Sequence, residues 1–228
     1  MTILLAIETS TEMASLALLS KEGLIIRELA GVQTHSQGVL PAIQAILNEA
    51  RITLKQCDAI AFGCGPGAFT GVRTACGIVQ GLAFGANLPI LSIVSLLAMA
   101  QAAYDFRQKV EFVCVLDARM GEVYWAHYRY QDQNWRQVTE PALSTAEQVL
   151  SYAKSLDVCL VLGNGAIPTI SETSENVIFK MPHAQAVAKL GLIDFSLGKQ
   201  LTADQAQPLY LRNKIALTTL ERTLLKAN

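Results

Sequence analysis

The chain is short of charge. Of its 228 residues, 16% are Asp, Glu, Lys or Arg, against about a quarter in an average soluble domain. Eighteen basic and nineteen acidic residues nearly cancel, to −1, so no basic excess exists to hold a nucleic acid unaided. Histidine is scarce: none of His35, His127 and His183 has a second His, Cys or Asp three or four residues on, which excludes a helical metal pair. His35 and His127 read as structural residues, His35 next to a helix start capped by Ser36. Neither a nucleophile elbow nor a His-Glu-x-x-His run occurs. The five cysteines form no C-x-x-C and lie mostly in apolar stretches, as buried hydrophobes of a reducing compartment do. Long hydrophobic runs are missing too. Leu88 to Ala100 is broken by Pro89, Ser92 and Ser95 and is too short to span a bilayer. The run Ile3 to Ile7 lacks a basic flank and ends at Glu8, unlike a signal peptide. A soluble, cytoplasmic protein without membrane contact is expected.

What is present is a hydrophobic majority of 51%, which rules out a disordered chain. The length allows one large or two small domains, burying about 70% of the chain's surface. Ile3–Ile7, Ala14–Leu19 and Leu24–Leu29 read as strands separated by polar turns. Val39, Leu40, Ile43, Ile46, Leu47 and Ala50 recur at three- and four-residue spacings, as on an amphipathic helix. A strand Asp58–Phe62, a glycine-rich loop and a helix Thr70–Ala86 follow. The second half begins again, with strands Glu111–Leu116, Val123–Tyr130 and Trp135–Val138. A helix Thr145–Ser155, a strand Val158–Leu162, a tight turn Gly163-Asn164-Gly165 and a helix Ala184–Gly198 complete it. Asn213 to Asn228 is rich enough in Leu and Lys for a last helix. Both halves run strand, strand, strand, helix, strand, helix, and a carboxylate (Glu8, then Asp117) ends each first strand. That order predicts an α/β protein with a duplicated ribonuclease-H-like unit, the plan of the actin-like ATPase superfamily, in two lobes of residues 1–107 and 108–228.

Seven of the fifteen glycines lie between Gly63 and Gly85. The loop Gly63 to Gly71 joins a strand to a helix, where backbone N–H groups can hold an anion, but it matches neither a Walker loop nor a dinucleotide fingerprint. Its other reading is a tight turn that lets helix and strand approach closely. In the following helix Gly77, Gly81 and Gly85 recur every four residues, beside Thr74. Each costs about 1 kcal/mol relative to alanine, so the stripe implies a compensating close contact. Only Arg73 and Gln80 are strongly polar on this helix, so either another helix of the chain or a partner covers it. Glu8, Thr9, Ser10, Thr11 and Asp117 stand where nucleotide-binding members of the superfamily place carboxylates and hydroxyls; ordinary turn chemistry explains them equally well. Arg119, in Asp117-Ala118-Arg119-Met120-Gly121, reads by default as the partner of a carboxylate.

The segments Ile3 to Ser10, Gly65-Pro66-Gly67-Ala68-Phe69-Thr70-Gly71-Val72-Arg73, Asp117 to Tyr124 and Pro208-Leu209-Tyr210-Leu211-Arg212 together resemble the bacterial TsaB (YeaZ) family, from residue 1 to about 215. The resemblance implies an actin-like fold and a non-catalytic role in making threonylcarbamoyladenosine at position 37 of tRNAs reading codons that begin with A. The implied partners are TsaD, the threonylcarbamoyl transferase, the ATPase TsaE, and a second copy of the chain when TsaD is absent, with tRNA reached only through the complex. Docking through the first two helices is implied, placing Val39, Ile43 and Leu47, then Val72, Arg73, Thr74, Cys76, Gly77, Gln80, Gly81 and Gly85, at the interface. TsaD proteins carry a metal-binding H-x-x-x-H pair after the strand that follows the second helix. Here Ser95 and Met99 hold those positions, and both are weak ligands. No metal or cofactor is therefore expected on this chain alone, and ATP or ADP only in the complex. The alternative is an independent nucleotide hydrolase or small-molecule kinase, which needs phosphate loops from both halves; Asp117 to Gly121 offers no glycine-rich hairpin.

Overall fold

The computed structural model describes residues 2–30, 35–163, 165–167 and 176–212. Strands β1 (Leu4–Glu8), β2 (Met13–Ser20) and β3 (Gly23–Ala30) form an antiparallel meander. Helix α1 (His35–Glu49) leads to β4 (Ala59–Gly65), parallel to β1. Helix α2 (Phe69–Ala86) then leads to β5 (Ile90–Val94), parallel to β4, and α3 (Ser95–Arg107) ends the half. The second meander is β6 (Glu111–Arg119), β7 (Glu122–Gln131) and β8 (Asn134–Thr145). After it come α4 (Ala146–Leu156), β9 (Cys159–Leu162), β10 (Val177–Phe179) and α5 (Ala184–Ser196). The strand orders are β3-β2-β1-β4-β5 and β8-β7-β6-β9-β10, one pattern used twice, as the repeated order of elements predicts.

Alternation along the central strands divides the interior into layers. Leu5 and Ile7 of β1 face α1 and α2, meeting Ile46, Ala75 and Val79. Leu4 and Ala6 point the other way, onto Ala184, Val187 and Leu190 of α5. In the second sheet Phe112 and Cys114 pack on Leu96, Met99 and Ala103 of α3, whereas Val113 and Val115 pack on Val149 and Ala153 of α4. Helices α3 and α5 thus form a middle layer between two sheets.

That arrangement carries the chain back across the boundary expected at residue 107. Helix α5 belongs by sequence to the second half but covers the first sheet. Its Gly191 allows this, since a Cβ there would lie 2.9 Å from Ala61 Cβ. His183 caps its start by accepting the Gln185 N–H, and the Ala184 N–H reaches Ser15 Oγ at 2.9 Å. The chain then returns to the first lobe: Leu201 bridges Ile90, and the Leu209 N–H donates to the Cys64 carbonyl at 2.7 Å. Among the described residues, 184–209 thus make contacts with the first half of the chain. Helix α1 begins at His35, a turn before its apolar period starts, so Ser36 lies inside the helix. Asn164 and residues 213–228, with their expected turn and helix, lie outside the described residues.

His127 is buried on β7, its Nδ1 2.9 Å from the Tyr152 hydroxyl, a structural placement as the sequence suggests. All five cysteines are free and buried. Burial pushes the thiol of Cys57 up to about 11 and that of Cys64 to about 12, with the neighbouring acids Asp58 and Glu8 adding to it. A thiol reagent at pH 8 should therefore label none of the five in the native protein and all five in denaturant. Prompt native labelling of any one, read by mass spectrometry, would contradict this packing.

Candidate functional site

The end of β1 is packed backbone against backbone. A Cβ on Gly67 would collide with the Ser10 carbonyl, and one on Gly71 with the Thr9 carbonyl. The Ala68 N–H donates to Ser10 O at 2.6 Å, and the Thr9 hydroxyl donates to Gly71 O at 2.7 Å. Gly65 sits at φ +104, a region open to glycine. Of the two readings of this loop, the close-approach turn is the one built here. Below it Glu8 is fully buried, accepting the Ser10 N–H at 2.6 Å and the Ser95 hydroxyl at 3.0 Å. Burial raises its pKa above the ordinary carboxylate range, and the hydrogen bonds from Ser10 and Ser95 oppose that rise.

Beside the loop lies a cleft of about 650 Å³ between the lobes, lined by Ser10, Thr11 and Glu12, by Asp117 to Met120, and by the segment Leu209 to Arg212. Of the five residues expected to hold a nucleotide, Ser10, Thr11 and Asp117 line this cleft. Glu8 and Thr9 are enclosed beneath the loop, completely buried and hydrogen-bonded. Ser10 and Thr11 border the cleft but are themselves buried, Thr11 donating to Met13 O. Asp117 faces the cleft and holds Arg119, accepting its backbone N–H at 2.8 Å and lying 3.3 Å from its guanidinium, the pairing read from the sequence. A phosphate cradle needs free amides and a free cation. Here the Ala68 N–H is engaged by Ser10, Arg119 by Asp117 and Arg212 by Glu122 at 2.6 Å. Among the described residues no cluster of His, Cys, Asp and Glu could hold a metal ion.

The expected partner interface divides in two. Val39, Ile43, Leu47, Val72 and Cys76 are buried in the chain's own core, because they form the inward stripes of α1 and α2; they are not surface residues. Arg73, Gly77, Gly81 and Gly85 are exposed, with Thr74 and Gln80 half-buried at their edge. A Cβ on Gly77, Gly81 or Gly85 would meet nothing within 4 Å, and Phe84, one turn beyond Gly81, is 85% exposed. The sequence reading missed Phe84 as a surface residue, although its place seven residues after Gly77 puts both on one face. It also gave no role to the strap that follows α5. Gln80 donates to Ala206 O at 2.9 Å, Arg73 Nε donates to the Tyr210 hydroxyl at 2.6 Å, and the Arg73 guanidinium lies 3.5 Å from the Phe69 ring centre. Arg212 donates to the carbonyls of Ala118 and Arg119 across the cleft.

Two outcomes are expected from the loop. Gly71→Ala should cost several kcal/mol, of order 3, because rigid backbone cannot yield to the new methyl; a denaturation midpoint near wild type would contradict it. Glu8 with a raised folded pKa stabilises the fold at low pH, and that contribution is lost as pH rises through the folded value. Glu8→Gln removes this loss, so the stability of the variant minus that of wild type should grow from pH 4 to pH 8. A difference flat with pH, measured by urea denaturation, would exclude ionisation of Glu8 as the cause.

Residues 13–218 match the profile of the family described as TsaD, tRNA N6-adenosine threonylcarbamoyltransferase. The chain is 38% identical to the tRNA threonylcarbamoyladenosine biosynthesis protein TsaB of Haemophilus influenzae, over 93% of this chain and 94% of that one. Identity to the protein of the same name from Escherichia coli is 36%, over 93% and 96%. A Pseudomonas aeruginosa structure described as similar to the peptidase YeaZ shares the fold at a TM-score of 0.84 and 36% identity, covering 93% of this chain and all of that one. YeaZ from the same organism gives 0.80 and 34%, covering 92% and 100%. With near-complete coverage in both directions and the duplicated strand order, the chain belongs to the TsaB (YeaZ) family of tRNA threonylcarbamoyladenosine biosynthesis proteins and has their actin-like fold.

Proposed function

We propose that this chain is a non-catalytic subunit of the machinery that forms threonylcarbamoyladenosine at position 37 of tRNA, and that it binds a TsaD-type transferase through the outer face of α2. One observation carries the reading: three helical glycines, costing about 3 kcal/mol together, face open space beside an exposed phenylalanine. Nothing within the described chain repays that cost, whereas the backbone of a second subunit lying against the stripe would. The exposed part of the interface is Arg73, Gly77, Gly81, Phe84 and Gly85; the inward residues of α1 and α2 support it from behind. Without a transferase the same face pairs two copies isologously. TsaE joins the assembly, which works in the cytoplasm.

The positions that carry the metal-binding pair in the transferase are here part of the core. Ser95 donates into Glu8 and Met99 packs against the second sheet, and both are fully buried. That supports an accessory rather than a catalytic role. The rival, an independent nucleotide hydrolase or kinase, would have to bind its phosphates where the loop amide and both guanidiniums are already engaged.

Substitutions at Gly81 test the docking face. Gly81→Ala should stabilise the isolated chain by about 0.5–1 kcal/mol, since the methyl enters empty space on a helix. Gly81→Leu should leave the chain folded but weaken binding to TsaD at least tenfold by calorimetry. Undiminished TsaD binding by the leucine variant would remove α2 from the interface.

A further inference from the structure

We infer that the outer face of α2 meets the same face of a second copy in one direction only, antiparallel, with Arg73 of each copy set against Asp204 of the other. The face carries opposite charges at its two ends. Arg73, in the first turns of α2, is exposed. Its guanidinium lies 3.5 Å from the centre of the Phe69 ring, and its Nε donates to the Tyr210 hydroxyl at 2.6 Å. Those contacts hold the side chain in place without neutralising it. Among the described residues no carboxylate pairs with Arg73 and no cation pairs with Asp204. At the far end of α2 a groove of about 560 Å³ separates Phe84, Asn87 and Pro89 from the strap residues Gln200, Thr202 and Asp204. Asp204 is exposed, and hydrogen bonds from the Thr202 side chain and from its own backbone hold its carboxyl below the usual range.

Within one chain these charges stay apart. From Arg73 to the end of α2 the helix rises about 20 Å, well beyond the screening length of about 8 Å in physiological salt. A two-fold axis crossing the helix at Gly81, the middle glycine, turns that separation into a match. Arg73 then stands about 12 Å from the axis, opposite the segment of the second copy in which Asn87 and Pro89 line the groove with Asp204. Phe84 comes down near the second copy's Gly77, where a Cβ would meet nothing within 4 Å. Each guanidinium also approaches the C-terminal end of the opposing helix, where the dipole favours a cation. A parallel pair would set Arg73 on Arg73 and Asp204 on Asp204. An isologous contact needs a patch complementary to itself, and a face basic at one end and acidic at the other is such a patch. The inference rests on the proposed docking role of α2 and supplies the direction and the polar contacts of its self-pairing.

Sedimentation of the full chain tests it. Arg73→Glu and Asp204→Arg, each alone, bring like charges together at both ends of the dimer and should weaken dimerisation at least about tenfold. An equimolar mixture of the two variants restores an unlike pair at each end and should recover the wild-type dimer mass, which also shows that both variants fold. Added salt should weaken the wild-type dimer and the mixed dimer alike. The pairing would be overturned by either variant dimerising at wild-type strength, by a mixture no better than its parts, or by a wild-type chain that stays monomeric at low salt. Calorimetry of Gly81→Leu with TsaD separates this from the docking reading. If that variant loses TsaD while Arg73→Glu and Asp204→Arg dimerise as wild type does, only the charge pairing fails. If it keeps both TsaD and self-association, the docking face fails and the pairing with it.

Discussion

The tightest constraint in the molecule is the approach of the loop before α2 to the end of β1. Peptide backbone lies on peptide backbone there, with Gly67 over Ser10 and Gly71 over Thr9, and no side chain fits between. Two hydrogen bonds fix the first turn of α2 to that edge. An 18-residue helix is a rod about 27 Å long, so anchoring one end sets the direction of its whole outer face. The glycines within the rod do the opposite of those at its foot. At the foot, missing side chains are filled by the chain itself; along the rod they are left for something else to fill.

The polar groups at the end of the first strand are held within the fold or against one another. The carboxylate of Glu8 is turned under the loop and serves to tie β1 to α3 through Ser95. The groups that remain at the rim bind one another: Asp117 with Arg119, and Arg212 with Glu122 and the turn carbonyls. These pairs tie the two rims of the gap to one another and to the strap that follows α5.

Much of this was legible in the sequence, and the misses have physical causes. The meanders, α2 and the repeated order followed from period-two and period-3.6 patterns bounded by polar turns. Strand β5 and helix α3 were hidden because Leu88 to Ala100 runs from one into the other with no Gly, Asn or Asp at the junction of Val94 and Ser95. Strand β10 is three residues long and carries no period. The glycine stripe announced an unusual surface, but the inward stripes of the same helices look equally apolar on paper. Separating Cys76 from Gly77, or Leu47 from Leu40, takes the helix's rotation against the sheet, which only the fold supplies. The strap from Ala206 to Arg212 makes contacts more than ninety residues away along the chain, and no local pattern encodes those.

The crossing of α5 onto the first sheet bears on how such a chain can have arisen. A lone ancestral unit ending where α3 ends would leave Leu4, Ala6, Ala17 and Ala61 bare on one side. Two copies of the unit, each lending its last helix to the other's sheet, would shelter both. Joining them in tandem keeps that exchange within one chain, with α5 on the first sheet and α3 on the second.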